Sequence, residues 1–234
     1  MQPIFISLGS DCGVAEYLRD AGLREAAFPL DWCVSYGGAR RILGETDAHE
    51  ACAVDASNFN DRYGVFYMHS AFPLAMPTMV RRFARLHAAL ADERPVVLIR
   101  RSHPLHHHFE RPNALVDEVA DARALAQALA VAHPAKAARG HIRVELMLAC
   151  DLCHPKIDPD EAAAGCALLR VHNLTRQASA TFADRFPTKT YADAMAACLK
   201  AHGIVKVGIK DGIKDGIKVG IKVGIKDGPF TLED

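Results

Sequence analysis

The stretch Ser7-Leu8-Gly9-Ser10-Asp11-Cys12-Gly13 puts a cysteine where an apolar strand gives way to a helix. A thiol attacks as its thiolate. The free group titrates near ~8.5, and a helix N-terminus lowers that value. The amides of the first helical turn can also hold the oxyanion of an acyl intermediate. Such chemistry needs a base, usually a histidine steadied by a third group. His69 is the candidate base, because it is expected to close a strand that follows the helix in chain order. Asp31 is the candidate orienting residue, and Trp32 beside it could keep water from the pair. Ser10 and Asp11 could polarise the oxyanion site or donate to it. Each residue also has a plain structural reading. Cys12 can be a small buried thiol, Asp31 can cap a turn after Pro29, and Ser10 or Asp11 can cap the helix.

Three further groupings carry chemistry. His103-Pro-Leu-His-His-His108 offers four imidazoles on one short stretch, which bind zinc or nickel adventitiously more readily than they build a closed site. His103, at the end of an apolar strand, is a substitute base. Cys150-Asp-Leu-Cys153-His154 has the spacing of c-type haem attachment, but it lacks the export context of that chemistry and a clear second ligand. Packing at a strand end is the simpler reading. Finally, Ser10 with Asp151 and His154 resembles the lipase/esterase arrangement with an N-terminal nucleophile, although the Gly-Asp-Ser order of that type is absent.

The elements that must position these residues interleave. Residues 3–8 read as a strand, followed by a helix from about Cys12 to Ala21 with Val14, Tyr17, Leu18 and Ala21 on one face. Gly22 stands where a left-handed C-terminal cap is usual. Gly64 opens a second strand, Val65 to His69. Residues 77–93 form a helix with Val80, Phe83, His87 and Leu90 as its apolar stripe. Pro95–Arg100 reads as a central strand. A helix follows from a cap at Asn113, then a strand with Ile142, Val144, Leu146, Leu148 and Cys150 on one face. Residues 166–174 give a fifth strand. The last helix has Thr190 and Asp193 as a capping box and Gly203 as its stop. The expected class is α+β, with one mixed sheet of about five strands flanked by helices.

The domain is expected to cover 1–203. The tail, 204–234, contains five copies of a four-residue Gly-Ile-Lys unit. That period matches neither a helix turn nor a repeat able to bury its own core. A tolerated tandem expansion near a chain end is the expectation, with an interaction strand as the other reading.

The chain has 234 residues, half of them apolar, with zero formal net charge. Nothing in that balance points to nucleic acid or to an anionic membrane. No run reaches the ~18–20 apolar residues of a membrane span, and the first residues lack a signal-peptide pattern. A cytoplasmic protein is expected. The seven cysteines are odd in number and irregular in spacing, so no disulfide framework is expected.

The opening block resembles an uncharacterised bacterial family described as papain-like cysteine peptidases. Ser7, Leu8, Gly9 and Cys12 match its first turn, and Phe28, Pro29, Asp31 and Trp32 match its aromatic-Pro-x-Asp-Trp segment. Tyr67-Met-His-Ser-Ala-Phe72 stands for its His block, with Ser70 where relatives often carry aspartate. Met79–Leu86 and Val96–Arg101 match the arginine-rich helix and strand that follow. The likeness covers about residues 4–102. It implies a papain-like core, in which a helix-borne cysteine precedes its histidine in the chain. It also implies Cys12–His69 acyl transfer on a peptide, amide or thioester, with no organic cofactor and no catalytic metal. The altered His block leaves open a papain-like binding module without activity.

Overall fold

The computed structural model describes residues 1–9, 12–67, 69–102, 117–150, 157–175 and 189–204. Four strands, β1 (Ile4–Ser7), β5 (Val96–Arg101), β6 (Ile142–Cys150) and β7 (Leu169–Thr175), form one sheet in the order β1-β5-β6-β7. Every neighbouring pair is parallel. Three short strands, β2 (Val34–Ser35), β3 (Phe59–Asn60) and β4 (Val65–Phe66), make a separate antiparallel sheet in the order β2-β4-β3. The class is α+β as expected, but the single five-stranded mixed sheet is corrected to these two. Residues 34–60 escaped the sequence reading because two-residue strands show no period.

A parallel sheet must be covered on both faces. On one face, Ile4, Ile6, Leu98, Val144, Leu146 and Val171 pack under α4 (Met76–Ala91) and α5 (Glu118–Ala132). The short helices α2 (Arg40–Leu43), α3 (Ala48–Ala51) and α7 (Pro159–Ala163) join that core, and α6 (Pro134–Ala138) packs beside α5. On the other face, Phe5, Val97, Ile99, Met147 and Leu174 meet α1 (Gly13–Asp20) and α8 (Lys189–Ala201). Each large apolar side chain so buried contributes roughly 1.5–3 kcal/mol. Tyr17 of α1 and Tyr191 of α8 meet edge to face, 6.1 Å between ring centroids, which ties the two helices together.

Several local expectations shift. In α4 the buried stripe is Met79, Phe83, Leu86 and Leu90, and Val80 is exposed. Two stripes one residue apart satisfy the same helical period, and only the facing sheet chooses between them. Helix α5 is capped at Asp117, whose carboxylate accepts from the amides of Val119 and Ala120. Asn113 lies outside the described residues. Helix α8 already includes Thr190, so Thr190 is not its cap. Gly22 and Gly203 do take the left-handed conformation that ends α1 and α8. The tail lies outside the described residues.

One charged knot joins the two sheets. Arg100, 1 % exposed on β5, pairs with Glu118 at the start of α5. Its Nη1 donates to the Leu8 carbonyl at 3.1 Å and to Ser35 Oγ at 2.7 Å, and its Nη2 donates to the Ser35 carbonyl at 2.9 Å. The C-terminal end of β1 is thereby fixed against β2 and α5.

Candidate active site

Cys12 is the N-cap residue of α1, five residues beyond the end of β1. Its own carbonyl accepts from Glu16 N at 2.9 Å, the first hydrogen bond of the helix. The sequence places this helix here because Gly9 supplies a turn of positive φ after the strand. An added Cβ at Gly9 would lie 2.8 Å from Ser35 Oγ, so only glycine fits. Cys12 is partly exposed, whereas Cys33, Cys52, Cys166 and Cys198 are buried. Ser10 and Asp11 lie outside the described residues.

His69 sits in a turn rather than at a strand end, because β4 stops at Phe66. The expectation of a strand-borne histidine is corrected accordingly. Ser70 N reaches back to the Tyr67 carbonyl at 3.1 Å, which closes the turn. The imidazole is exposed, and its ring meets Trp32 edge to face with centroids 6.0 Å apart. Partial desolvation lowers its pKa from the usual histidine value. The neutral, proton-accepting ring therefore dominates at neutral pH.

Asp31 is 1 % exposed and its carboxylate is committed elsewhere. Oδ2 accepts from Arg24 Nε at 2.9 Å, from Arg24 Nη2 at 2.8 Å and from Phe28 N at 3.0 Å. The Phe28 bond closes the turn around Pro29, so the turn-capping reading of Asp31 is the one seen. Burial pushes its carboxyl up, opposed by the Phe28 amide and the Arg24 guanidinium. Among the described residues, no hydrogen bond joins Asp31 to His69. Asp31 is not the direct orienting partner expected of a third triad member.

The link between them is indirect. Arg24, held by Asp31, stacks over Trp32 with its guanidinium carbon 5.6 Å from the ring centroid. Trp32 in turn meets His69. Arg24 was missed from sequence. Its pairing spans seven residues across an irregular loop, where no periodicity signals a contact. The His103–His108 stretch, Asp151, Cys153 and His154 lie outside the described residues, as does the side chain of Cys150.

The class so defined is an α+β protein with a four-stranded parallel sheet and a cysteine at the first helix of its carboxyl edge. No family model, curated protein or solved structure matches the chain. No described helix is long and apolar enough to cross a membrane.

Proposed function

We propose that the protein is a cysteine-dependent acyl-transfer enzyme in which Cys12 attacks an amide or thioester carbonyl and His69 moves the protons. The observation that carries this is the contrast among the described thiols. The one at the N-terminus of a helix, at the carboxyl edge of the parallel sheet, is the one partly open to solvent. Ligands of open αβ sheets bind outside the carboxyl ends of the strands. The thiolate would form the acyl-enzyme and expel an amine or thiol, which takes its proton from the imidazole. Water then releases the acid, and an amine acceptor in its place would make the enzyme a transferase. The Arg24–Trp32 stack sets where the imidazole can lie, and Asp31 acts one step further back as a positioning residue. The papain-like part of this reading rests on the resemblance over about residues 4–102, most specifically on the blocks at 7–12 and 28–32. The cytoplasm is the proposed setting, since the odd number and irregular spacing of the seven cysteines do not suit a disulfide framework.

The test is the pH dependence of iodoacetamide labelling at Cys12, in the native protein and in His69→Ala. Labelling that is fast at mildly acid pH and slowed in the variant supports the pair. Labelling of Cys12 that rises only with an ordinary thiol titration, unchanged by His69→Ala, sinks it and leaves a binding module.

A second reading is favoured by the parallel sheet itself. Strands β1 and β6 run parallel and end on the same edge of the sheet, and in sequence Ser10 follows the first and Asp151 and His154 the second. A Ser10 esterase would survive Cys12→Ala and lose ester hydrolysis in Ser10→Ala.

A further inference from the structure

Glu145 stands on β6 with no exposed surface, on the sheet face that α8 covers. Register puts Arg170 of β7 opposite it and His172 one pleat further along. Helix α8 brings Cys198 onto the same spot, and His202 follows one turn later, just past the helix end. The contacts are close. Glu145 Oε2 lies 2.7 Å from His172 Nε2, and Glu145 Oε1 lies 2.7 Å from His202 Nε2. Donor atoms of Glu145, His172 and Cys198 all fall within 4.8 Å of one another. Arg170 Nη1 is 3.8 Å from the carboxylate and half exposed. His202 is further fixed by Phe5, whose ring centroid is 6.3 Å away in an edge-to-face contact.

We propose that Glu145, His172 and Cys198 form a site for a zinc ion that clamps α8 to the sheet, with His202 holding the carboxylate through its other oxygen. Four observations converge on it. The donor set of one carboxylate oxygen, one imidazole nitrogen and one sulfur is borderline-soft, which suits zinc. Three protein ligands leave the fourth tetrahedral position to water. His202, in the turn that ends α8, holds Glu145 Oε1 at 2.7 Å and so fixes the carboxylate. One carboxylate and one thiolate would neutralise a dication, and the cation of Arg170 stands half exposed beside them. Tetrahedral ligand atoms around zinc stand roughly 3.3–3.8 Å apart, from the usual Zn–N and Zn–S lengths. Zinc entry would part Glu145 Oε2 and His172 Nε2, now 2.7 Å apart, by roughly 0.6 Å or more and draw the sulfur inward. Binding breaks the Cys198 S–H bond and releases that proton to solvent. Where an imidazole carried its proton on Nε2, it moves to Nδ1 so that Nε2 can donate its lone pair.

The site is independent of Cys12 and His69. Its residues span 145 to 202, so no short motif announced them, and the sequence reading expected no metal.

The test uses the full chain, stripped with a chelator and loaded with cobalt as a spectroscopic stand-in for zinc. A tightly held ion with a thiolate-to-cobalt charge-transfer band is expected. Cys198→Ser should abolish the band, while Cys12→Ser and the combined change His106→Asn, His107→Asn, His108→Asn should leave it. X-ray absorption on the zinc-loaded native protein needs no variant and should show one sulfur among nitrogen and oxygen neighbours. Zinc should also raise the thermal midpoint of the native protein and not of Cys198→Ser. Coordination without sulfur would assign the ion to the His103–His108 stretch, and two sulfurs would assign it to Cys150 and Cys153. Either result overturns the proposal, as does failure to retain the ion through gel filtration. The cluster would then be a hydrogen-bonded carboxylate and nothing more.

Discussion

Arg100 and Glu118 meet in a two-point ion pair, Nε to Oε2 at 2.5 Å and Nη2 to Oε1 at 2.7 Å, with both side chains buried. Removing one partner strands the other charge away from water. Glu118→Ala is expected to cost about 3–5 kcal/mol in urea denaturation. Replacing both partners together, Arg100→Met with Glu118→Leu, should cost clearly less, because no charge is left unpaired. Equal losses in the single and double variants would show that the pair does not act as a unit.

The pair of Arg24 and Asp31 gives a prediction with a sign in pH. Burial raises the Asp31 carboxyl above its usual value, and Arg24 opposes that shift. Its contribution to stability is thus fully present below the unfolded-state value, ~3.9, and is lost as pH rises through the higher folded value. Arg24→Ala removes the opposing cation and raises the carboxyl further. The variant should lose about 3 kcal/mol near neutrality. Its deficit should shrink on acidification as Asp31 takes up a proton. Thermal midpoints of the two proteins across the acid range check this.

His69 should titrate below ~6.5, because partial desolvation disfavours the imidazolium. Its contribution to stability is present above the unfolded value and lost as pH falls through the folded one. Trp32→Ala opens the ring to water and should move the midpoint up toward the ordinary value. Ring-proton shifts in a nuclear magnetic resonance titration report it directly.

Thiol reactivity should be ranked by burial. Burial pushes Cys33 far above a normal thiol and Cys52 up to about 11. Native protein treated with iodoacetamide should therefore modify Cys12 before either, as read by peptide mass spectrometry. Modification of Cys33 at a comparable rate would show that the core opens more readily than this packing allows.

Gly37 sits where the chain passes closest to the small sheet. A Cβ added there would lie 2.2 Å from the Tyr63 carbonyl, which is backbone and has little room to give. Gly37 N also donates to the Gly64 carbonyl at 3.1 Å. Gly37→Ala is expected to destabilise the protein by about 1–3 kcal/mol in thermal unfolding, through overpacking against fixed backbone.

The legible parts of the fold were those with a strong period or a strong stop. Val96–Arg101 is apolar enough to announce a central strand, and Ile142–Leu148 alternates as a half-buried strand should. The same alternation concealed Glu145, which reads as solvent-facing and is fully buried beneath α8. Burial of that second face depends on a helix more than 40 residues away in the chain, which local periodicity cannot register. Around the candidate active site, Trp32 and His69 meet edge to face, a contact between distant residues that no local period shows. The engagement of Asp31 by Arg24 could not be read, since a buried carboxylate takes whichever cation the loop delivers.

By itself the sequence determined the interleaved strands and helices, the central apolar strand, the glycine stops of α1 and α8, and the position of Cys12 at a helix start. These follow from local steric preference and from side-chain period, which act over a few residues. Tertiary structure decided that the main sheet is parallel, that α4 buries Met79 rather than Val80, and that Asp31 serves Arg24. It also decided that His172, Cys198 and His202 all approach Glu145. Each of those outcomes depends on which distant surface faces a side chain, and that is fixed only when the chain closes on its core.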